Sequence, residues 1–360
     1  MNEDCLKLTS YFGERQRTAD NGFAADALLD LYGRSGIATS ILLRGAEGFG
    51  ARQRLRSDRS LSLSDDLPLT AVAVDARSRI EPLLDSTAGL LRGGLVTVER
   101  ARLLTGDIEP VGPDTGPDDQ IKLTVYVGRQ ERVYRTPGFV AVCDLLHRRG
   151  VAGATALLGV DGTARGARER ASFFSRNAGT PMMVIAVGSA RQIAQVLPEL
   201  GGLLRQPLLT LERVRICKRD GELLQRPPTA AQARPAGDET GPTPGLKLMV
   251  YTSEAALHDG QPIHRAVVRR LRAAGLSGAT TTRGMWGFHG DHPPHGDRLF
   301  QLGRHVPTVT IVIDTPERIQ AAFDVIDDLT AEQGLVTCET IPVMRVIGGR
   351  RKTAALPAPG

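Results

Sequence analysis

The sequence is poor in aromatic residues and cysteine, and it has no long apolar run. Phe, Tyr and Trp make up 4 % of its 360 residues. The four cysteines share no close pair and no metal-ligand spacing, which argues against a disulfide framework and a zinc knuckle. No window approaches about 18 apolar residues, and Met1 to Asp4 are acidic where a secretory signal needs positive charge. We therefore expect a cytoplasmic protein without membrane insertion.

The sequence also lacks a concentration of basic charge. Its 45 Lys and Arg residues stand against 40 Asp and Glu, which gives a net charge of +5. The excess comes from arginines scattered through loops, whereas a nucleic-acid surface needs a basic stripe. We expect no nucleic-acid partner and favour a small anionic ligand.

What the sequence does contain is one pattern stated three times. Each copy opens on a lysine between aliphatic residues, at Lys7, Lys122 and Lys247, and closes on a Leu-x-Thr-x-Glu strand. A period above one hundred residues is too long for a solenoid unit and is typical of tandem domains. The closing residues, Glu99, Glu212 and Glu339, are interpreted as either solvent-side residues or salt-bridge partners.

The repeats predict domain boundaries. They are residues 1–104 for repeat 1, 105–120 for an acidic linker, 121–218 for repeat 2, 219–245 for a flexible linker, 246–348 for repeat 3 and 349–360 for a tail. In repeat 1 the spacing of apolar residues predicts strands at 6–12, 38–43, 67–74 and 95–103, and helices at 23–32 and 76–91. The order β-α-β-β-α-β predicts an α+β fold of three ferredoxin-like modules.

Both helices of such a module cover one face of its sheet and leave the other face bare. The strands are too apolar on both alternations to lie in water, for example at Met182–Ile185 and Ile311–Ile313. A bare apolar face needs a partner. Three linked copies can bury these faces around one axis, so we expect a closed pseudo-trimer.

A family resemblance is carried by the segment between the second and third strands. Residues 277–288 read Ser-Gly-Ala-Thr-Thr-Thr-Arg-Gly-Met-Trp-Gly-Phe, and related runs begin at Ala38 and Ala152. With the closing Leu-Val-Thr-x-Glu strand, this pattern resembles the PII-like family known as domain of unknown function 190, in all three repeats. The resemblance implies a module related to trimeric PII signalling proteins, which bind nucleotides or other small anions between subunits and contact a target through a long loop. It also implies a membrane-transporter partner, since family members are often encoded beside fluoride channels.

A Gly-x-x-Gly turn opens this segment in every repeat, and glycine lets backbone amides approach an anion closely. Basic residues nearby suit bidentate contacts with an anion. The alternatives are a plain strand-ending turn and solvated loop charge. The candidate ligand-binding residues of the turns and their surroundings are Arg44, Gly45, Gly48, Gly159, Gly162, Arg165, Arg283, Gly284, Gly287 and Arg298, with Trp286 and Phe288 beside them.

Repeat 3 adds a loop rich in histidine and aspartate at 288–298. Imidazole with carboxylate is a ligand set of divalent metals, although no familiar spacing matches. Anion or partner binding and a hydrogen-bonded structural loop are the alternatives. Trp286 is either a residue that stacks on a ligand ring or one that fills core. The candidate metal ligands are His289, Asp291, His292, His295 and Asp297.

Catalysis finds little support, because no nucleophile elbow and no Cys–His pairing is evident. We predict a non-enzymatic PII-like regulator that binds a small anionic effector of the nucleotide class in clefts between repeats. Its loops would relay binding to a protein target, with a membrane transporter or fluoride channel as the implied class. A metal-dependent enzyme using the loop at 288–298 and a ligand-free scaffold are the alternatives.

Overall fold

The computed structural model describes residues 2–58, 66–106, 108, 119–164, 167–168, 180–234, 244–289, 294–296 and 306–347. Repeat 1 has a short 3-10 turn at Glu81–Leu83. Its strands and helices, in chain order, are β1 (Asn2–Gly13), α1 (Ala24–Arg34), β2 (Thr39–Arg44), β3 (Glu47–Phe49), β4 (Arg56–Ser57), β5 (Pro68–Ala76), α2 (Arg77–Ile80), α3 (Leu84–Leu90) and β6 (Gly94–Thr105).

Repeats 2 and 3 share the same plan with small additions. Repeat 2 contains β7 (Gln120–Gly128), β8 (Arg132–Val133), β9 (Thr136–Pro137), α4 (Gly138–Arg148), β10 (Gly153–Leu158), β11 (Asp161–Ala164), β12 (Ala167–Arg168), β13 (Pro181–Ser189), α5 (Ala190–Leu203) and β14 (Leu208–Arg219). After β15 (Glu222–Leu223) and α6 (Ala230–Ala233), repeat 3 contains β16 (Gly245–Ser253), β17 (Leu257–His258), β18 (Gln261–Pro262), α7 (Ile263–Ala273), β19 (Ala279–Arg283), β20 (Trp286–His289), β21 (His295–Gly296), β22 (Pro307–Asp314), α8 (Pro316–Leu329), β23 (Leu335–Ile341) and β24 (Val343–Ile347).

Three local expectations were wrong. The single helix expected at 76–91 is divided into α2, a 3-10 turn and α3, because Pro82 has no N–H to donate to the helix ladder. In repeat 2 the sequence predicts that Thr136–Pro137 begins a helix, but these residues form a short strand with Arg132–Val133 and the helix begins at Gly138. In repeat 3 the sequence predicts one final strand at 335–346, but the structure has two strands, β23 and β24, which pair with different repeats.

Within each repeat the main strands form an antiparallel sheet of the same order. In repeat 1, β1 lies between β5 and β6, and β2 lies outside β5. Repeats 2 and 3 give the orders β10-β13-β7-β14 and β19-β22-β16-β23. Each repeat also has its own apolar core, between its sheet and its helices. The chain is therefore a mixed α/β protein dominated by antiparallel sheet.

The repeats join each other through strand pairing that closes into a cycle. The strand β3 of repeat 1 pairs with β19 of repeat 3, β20 of repeat 3 pairs with β10 of repeat 2, and β11 of repeat 2 pairs with β2 of repeat 1. The closing strands are linked as well, since β6 pairs with β14 and β24, and β14 pairs with β23. Every repeat therefore contacts both others by backbone hydrogen bonds.

The sheet faces that the sequence predicted to need a partner share one buried cluster. Its members come from all three repeats and include Ile41 and Val72 from repeat 1, Tyr126 and Ile185 from repeat 2, and Met249 from repeat 3. Burial of apolar side chains in such a cluster contributes about 1.5–3 kcal/mol per large residue. The faces thus cover one another.

Part of the segment expected to be a flexible linker has a defined structure. Residues 219–234 carry β15 and α6, and Thr229 and Gln232 form a reciprocal capping box at the start of α6. Ala233 packs into the core of repeat 3, and the Gln320 side chain donates to the Pro227 carbonyl at 2.5 Å. Composition predicted flexibility here because it does not reveal contacts with α8, which is distant in the sequence.

Among the described residues, no helix is long and apolar enough to cross a membrane.

Candidate functional site

The opening lysine and closing glutamate of each repeat lie directly opposite each other on neighbouring strands. The register pairs Lys7 with Glu99, Lys122 with Glu212 and Lys247 with Glu339. Each lysine also reaches the glutamate of another repeat: Lys7 contacts Glu212, Lys122 contacts Glu339, and Lys247 contacts Glu99. The six side chains form a closed ring of alternating charge, which we call the Lys–Glu ring.

The Lys–Glu ring is buried where the three repeats meet. Its side chains are between 2 % and 8 % exposed. The Nζ–Oε distances within repeats are 2.9 Å for Lys7–Glu99, 3.2 Å for Lys122–Glu212 and 2.9 Å for Lys247–Glu339. The three carboxylates lie within 4.8 Å of one another, a spacing that suits a metal ion, but each is bonded to two ammonium groups. The ring is therefore charge-balanced by the protein itself.

Electrostatics hold most of the ring in its charged form. Burial alone would lower the pKa of Lys7, but the carboxylates of Glu212 and Glu99 outweigh it and keep that pKa well above its usual value. Burial would raise the pKa of Glu99, but Lys247 and Lys7 hold it well below the usual range. Lys122 differs, because burial outweighs its carboxylate partners and lowers its pKa to about 8. The longest bond of the ring, 3.2 Å, belongs to the same lysine.

A second feature is a cavity of about 40 Å³ between repeats 2 and 3. Repeat 2 contributes the start of β10 and Arg219 at the end of β14, followed by Asp220, and repeat 3 contributes Tyr251, Phe288 and His289. Within the described residues, the buried Nε atom of Arg219 has no hydrogen-bond partner. The Tyr251 hydroxyl donates to the Met249 sulfur at 3.5 Å. The cavity thus combines a cationic side chain, a phenol and an imidazole from two repeats.

Arg219 and His289 of this cavity are not repeated in the sequence. Counted from the closing glutamate, Arg219 corresponds to Gly106 in repeat 1 and Val346 in repeat 3. Counted from the first glycine of the Gly-x-x-Gly turn, His289 corresponds to Gly50 and Ala164. The corresponding sequence positions of the other repeats therefore lack this pair. Sequence reasoning missed Arg219 and Tyr251, although comparing aligned positions across the repeats would have singled out Arg219.

The Gly-x-x-Gly turns lie where neighbouring repeats cross. Gly45 N–H donates to Pro68 O at 2.8 Å, and Ala46 N–H donates to Thr281 O of repeat 3 at 2.7 Å. The turns at Gly159 and Gly284 are bonded in the same way. A Cβ on Gly48 would lie 2.5 Å from Ala279 O, and Gly162 and Gly287 are similarly crowded by Ser40 O and Ala154 O. Close strand packing explains these glycines, so anion binding by their amides stays a prediction.

The predicted arginines of the turns are engaged with carboxylates. Arg44 bonds to Glu14 at 3.0 Å, and Arg283 bonds to Asp58 of repeat 1 at 2.6 Å and to Glu254 at 2.8 Å. Burial would lower the pKa of Arg283, but Asp58 and Glu254 raise it. Arg283 thereby ties repeat 3 to repeat 1. Neither arginine lines the cavity between repeats 2 and 3.

The candidate residues of the histidine loop are distributed unevenly. Phe288 is buried, lines the cavity and meets the His147 ring edge-on at a centroid distance of 5.0 Å. Trp286 packs against the core of repeat 2, which fits its core interpretation, and pairs with Gly296. His289 lines the cavity, whereas His295 lies on β21 opposite Gly287. Arg165, Asp291, His292, Asp297 and Arg298 lie outside the described residues, so the metal site stays a prediction.

The fold and its threefold repetition define a class of protein: a mixed α/β chain built from three copies of one domain. The chain belongs to the DUF190 family, described as "Uncharacterized ACR, COG1993", whose model matches residues 5–103, 120–216 and 245–343. It is 31 % identical over 97 residues to "UPF0166 protein" of Aquifex aeolicus (strain VF5), a match that covers 27 % of this chain and 90 % of that protein. That relative is thus about the length of one repeat.

A solved structure, "Crystal Structure of Aspartate Kinase from Synechocystis", is similar at 8 % identity and a TM-score of 0.24. The match covers 94 % of this chain and 44 % of that one. A likeness this weak indicates neither a shared fold nor a shared activity.

Proposed function

We propose that the chain is a PII-like regulatory protein in which three ferredoxin-like modules form a pseudo-trimer within one polypeptide. The strand order within each repeat, the cyclic pairing between repeats and the Lys–Glu ring support this arrangement. The single-repeat length of the Aquifex relative supports it too, because such a protein would need three chains to build the same ring.

The effector we propose is a small anion of the nucleotide class, bound in the cleft between repeats 2 and 3. The observation that carries this proposal is that Arg219 and His289, from different repeats, line one cavity. A guanidinium with a buried unpartnered Nε is suited to a phosphate oxygen, since charge-assisted bonds are about twice as strong as neutral ones. Asp220 opposes the anion at the same cavity, whereas Arg219 attracts it and the His289 imidazole offers an N–H donor.

The size of the cavity limits how a nucleotide would bind. About 40 Å³ holds a few water molecules, so only one end of a nucleotide would enter and the remainder would lie along the cleft. The proposed regulator relays occupancy to a protein target without consuming the effector. A membrane transporter or fluoride channel is the target class the family resemblance implies, and the cytoplasm is the proposed location.

Isothermal titration of the full chain with ATP, ADP, AMP, cyclic nucleotides and inorganic phosphate tests the site. Arg219→Val introduces the residue at the corresponding position of repeat 3, and His289→Gly introduces the residue at the corresponding position of repeat 1. We expect Arg219→Val to weaken binding by tenfold or more, because a hydrogen bond to a charged group contributes about 1.5–3 kcal/mol. Arg205→Val, an exposed arginine that does not line the cavity, serves as the matched control and should bind as the wild type does.

Two results would contradict this proposal. One is the absence of binding by every phosphate-bearing compound at millimolar concentration, and the other is binding that both cleft variants leave unchanged. Chromatography of the recovered ligand separates regulator from enzyme, since a regulator returns the nucleotide intact. Hydrolysis that requires added divalent metal would favour the metal-dependent enzyme instead.

A further inference from the structure

The turn between β8 and β9 presents an aromatic side chain to solvent. Tyr134 is 98 % exposed, and its φ of 54° lies in the left-handed region. The neighbouring turn residue is Arg135, and the strands of the turn pair Val133 with Thr136 and Arg132 with Pro137. We call residues 129–137 the Tyr134 hairpin.

Folding does not require a tyrosine at this position. The equivalent turn of repeat 3 is Asp259-Gly260, with φ of 49° and 73°, and the corresponding turn of repeat 1 contains Asn21, with φ of 64°. Asn, Asp and Gly are the residues that adopt this conformation readily, whereas a bulky side chain there is a genuine outlier. Repeat 2 therefore combines backbone strain with an exposed aromatic ring. Strain kept at an exposed position points to a function outside the fold.

Hydrogen bonds fix the backbone of the Tyr134 hairpin before any partner binds. Gly138 N–H donates to Glu131 O at 2.7 Å, and Arg132 Nη1 donates to Arg135 O at 2.9 Å. Val133, the residue before Tyr134, packs against the core of repeat 2. A rigid aromatic anchor loses little entropy on binding, and preorganisation of this kind favours recognition.

The charge of the hairpin is specific to repeat 2. Its arginines are Arg129, Arg132 and Arg135, and its one acid, Glu131, accepts from the Gly128 N–H at 3.3 Å. The corresponding residues 254–262 of repeat 3 contain two acids, Glu254 and Asp259, and neither lysine nor arginine. In repeat 1, residues 14–23 contain two acids and two arginines. The hairpin with the exposed tyrosine is therefore the one in which arginines outnumber acidic residues.

We propose that the Tyr134 hairpin binds an acidic segment of a protein partner. In the complex Tyr134 becomes buried as the anchor, and the flanking arginines contact the acidic side chains. Tyr and Arg are enriched among residues that dominate protein–protein binding energy. A nucleic acid would need a longer basic track with several stacking residues, and a membrane surface would need a larger apolar face. A single hairpin gives far less than the roughly 800 Å² per partner of a standard interface, so the contact is transient.

Fluorescence anisotropy of labelled peptides tests this docking surface on the full chain. The probes are 15-residue peptides of alternating Asp or Glu with Leu or Phe, and matched peptides with Asn or Gln in place of the acids. We expect the acidic peptides to bind with micromolar affinity and the amide peptides to bind at least tenfold more weakly. Tyr134→Asn should weaken binding of the acidic peptides by tenfold or more, because it removes the anchor.

Controls distinguish the hairpin from general charge. Arg132→Gln with Arg135→Gln should weaken binding and reduce its salt dependence, while Arg15→Gln with Arg17→Gln on repeat 1 should leave both unchanged. Tyr134→Asn relieves strain, so its melting temperature should equal or exceed that of wild type, and lost binding would not reflect misfolding. The proposal is overturned by absent peptide binding, by binding insensitive to Tyr134→Asn, or by Tyr134-dependent binding of phosphatidylserine vesicles or oligouridine in place of the acidic peptides.

Discussion

Replacing Lys7 by methionine should reveal how much the Lys–Glu ring contributes to holding the repeats together. Methionine keeps the length of the lysine stem but removes the charge. Lys7 contacts Glu212 of repeat 2 and, at 2.9 Å, Glu99 of its own repeat, and all three side chains are nearly inaccessible to water. The substitution therefore leaves a buried ring with three carboxylates and two ammonium groups.

The expected loss of stability is large. Two unit charges about 3 Å apart interact by about 5 kcal/mol at an effective dielectric constant of 20, and Lys7 has two such partners. Part of this is offset because the ammonium group no longer has to be desolvated. Measured losses on breaking a buried pair are about 3–5 kcal/mol, and we expect Lys7→Met to fall in this range. Lys122→Met should cost less, because burial already lowers the pKa of Lys122 to about 8.

Urea unfolding followed by circular dichroism measures the free energy lost. A second substitution, Glu212→Gln, restores charge balance in the Lys7→Met background, so the double variant should lose clearly less than the two single variants added together. Lys218→Met is the matched control outside the ring. Lys218 is equally buried, but its partner Asp327 is about one-third exposed and can be hydrated when the lysine is removed. Its expected loss is therefore smaller.

Two outcomes would refute this reasoning. A loss of unfolding free energy below about 1 kcal/mol for Lys7→Met would mean that Lys7 contributes no more stability in the ring than an exposed ion pair does. Losses that add within about 0.5 kcal/mol in the double variant would show that the charges are not coupled.

Two further predictions concern the ring and the turns. Burial would raise the pKa values of Glu99 and Glu339, but Lys247 and Lys7 outweigh it for Glu99, and Lys122 and Lys247 outweigh it for Glu339, so both pKa values are depressed. The stabilisation that these two carboxylates contribute is therefore present above about pH 4.5 and is lost as the pH falls through their lower folded pKa values. Thermal melts from pH 7 to pH 2 should show this loss, and an unchanged melting temperature down to pH 2 would contradict it. Gly48→Ala should lower the free energy of unfolding by about 1–3 kcal/mol, because the added Cβ would meet Ala279 O. Gly50→Ala, whose added Cβ has nothing within 4 Å, should be close to neutral in the same urea assay. Equal effects of the two substitutions would contradict the packing explanation.

The sequence allowed the repeat and the order of elements to be predicted because both depend on local pattern. Lys7 and Glu99 were visible as landmarks, but their partnership with Glu212 and Lys247 depends on how three sheets meet, which no local pattern records. The break of the helix at Pro82 was readable from proline alone and was missed. The fold of residues 219–234 was not readable, because it depends on contacts with α8 more than eighty residues away.

The candidate site was predicted only in outline. A cleft between repeats was expected, and His289 and Phe288 do line one. Arg44 and Arg283, which were expected to serve the ligand, are bonded to carboxylates that are near in space but distant in sequence, and their role in ligand binding stays a prediction. A charged residue near a turn has the same appearance in the sequence whether its partner is a ligand or a distant side chain, so pattern alone could not separate the two.

The Lys–Glu ring is constrained more tightly than the cavity between repeats 2 and 3 and the Tyr134 hairpin. Each lysine of the ring serves glutamates of two repeats, so a change in any one repeat leaves an unpaired charge in a buried site. The clefts and hairpins carry no such coupling: Arg219 is replaced by glycine or valine in the other repeats, and Tyr134 by aspartate in repeat 3, while every strand pairing of the cycle is kept. A change in the Lys–Glu ring therefore involves more than one repeat, whereas Arg219 and Tyr134 differ between repeats that keep the same strand pairings.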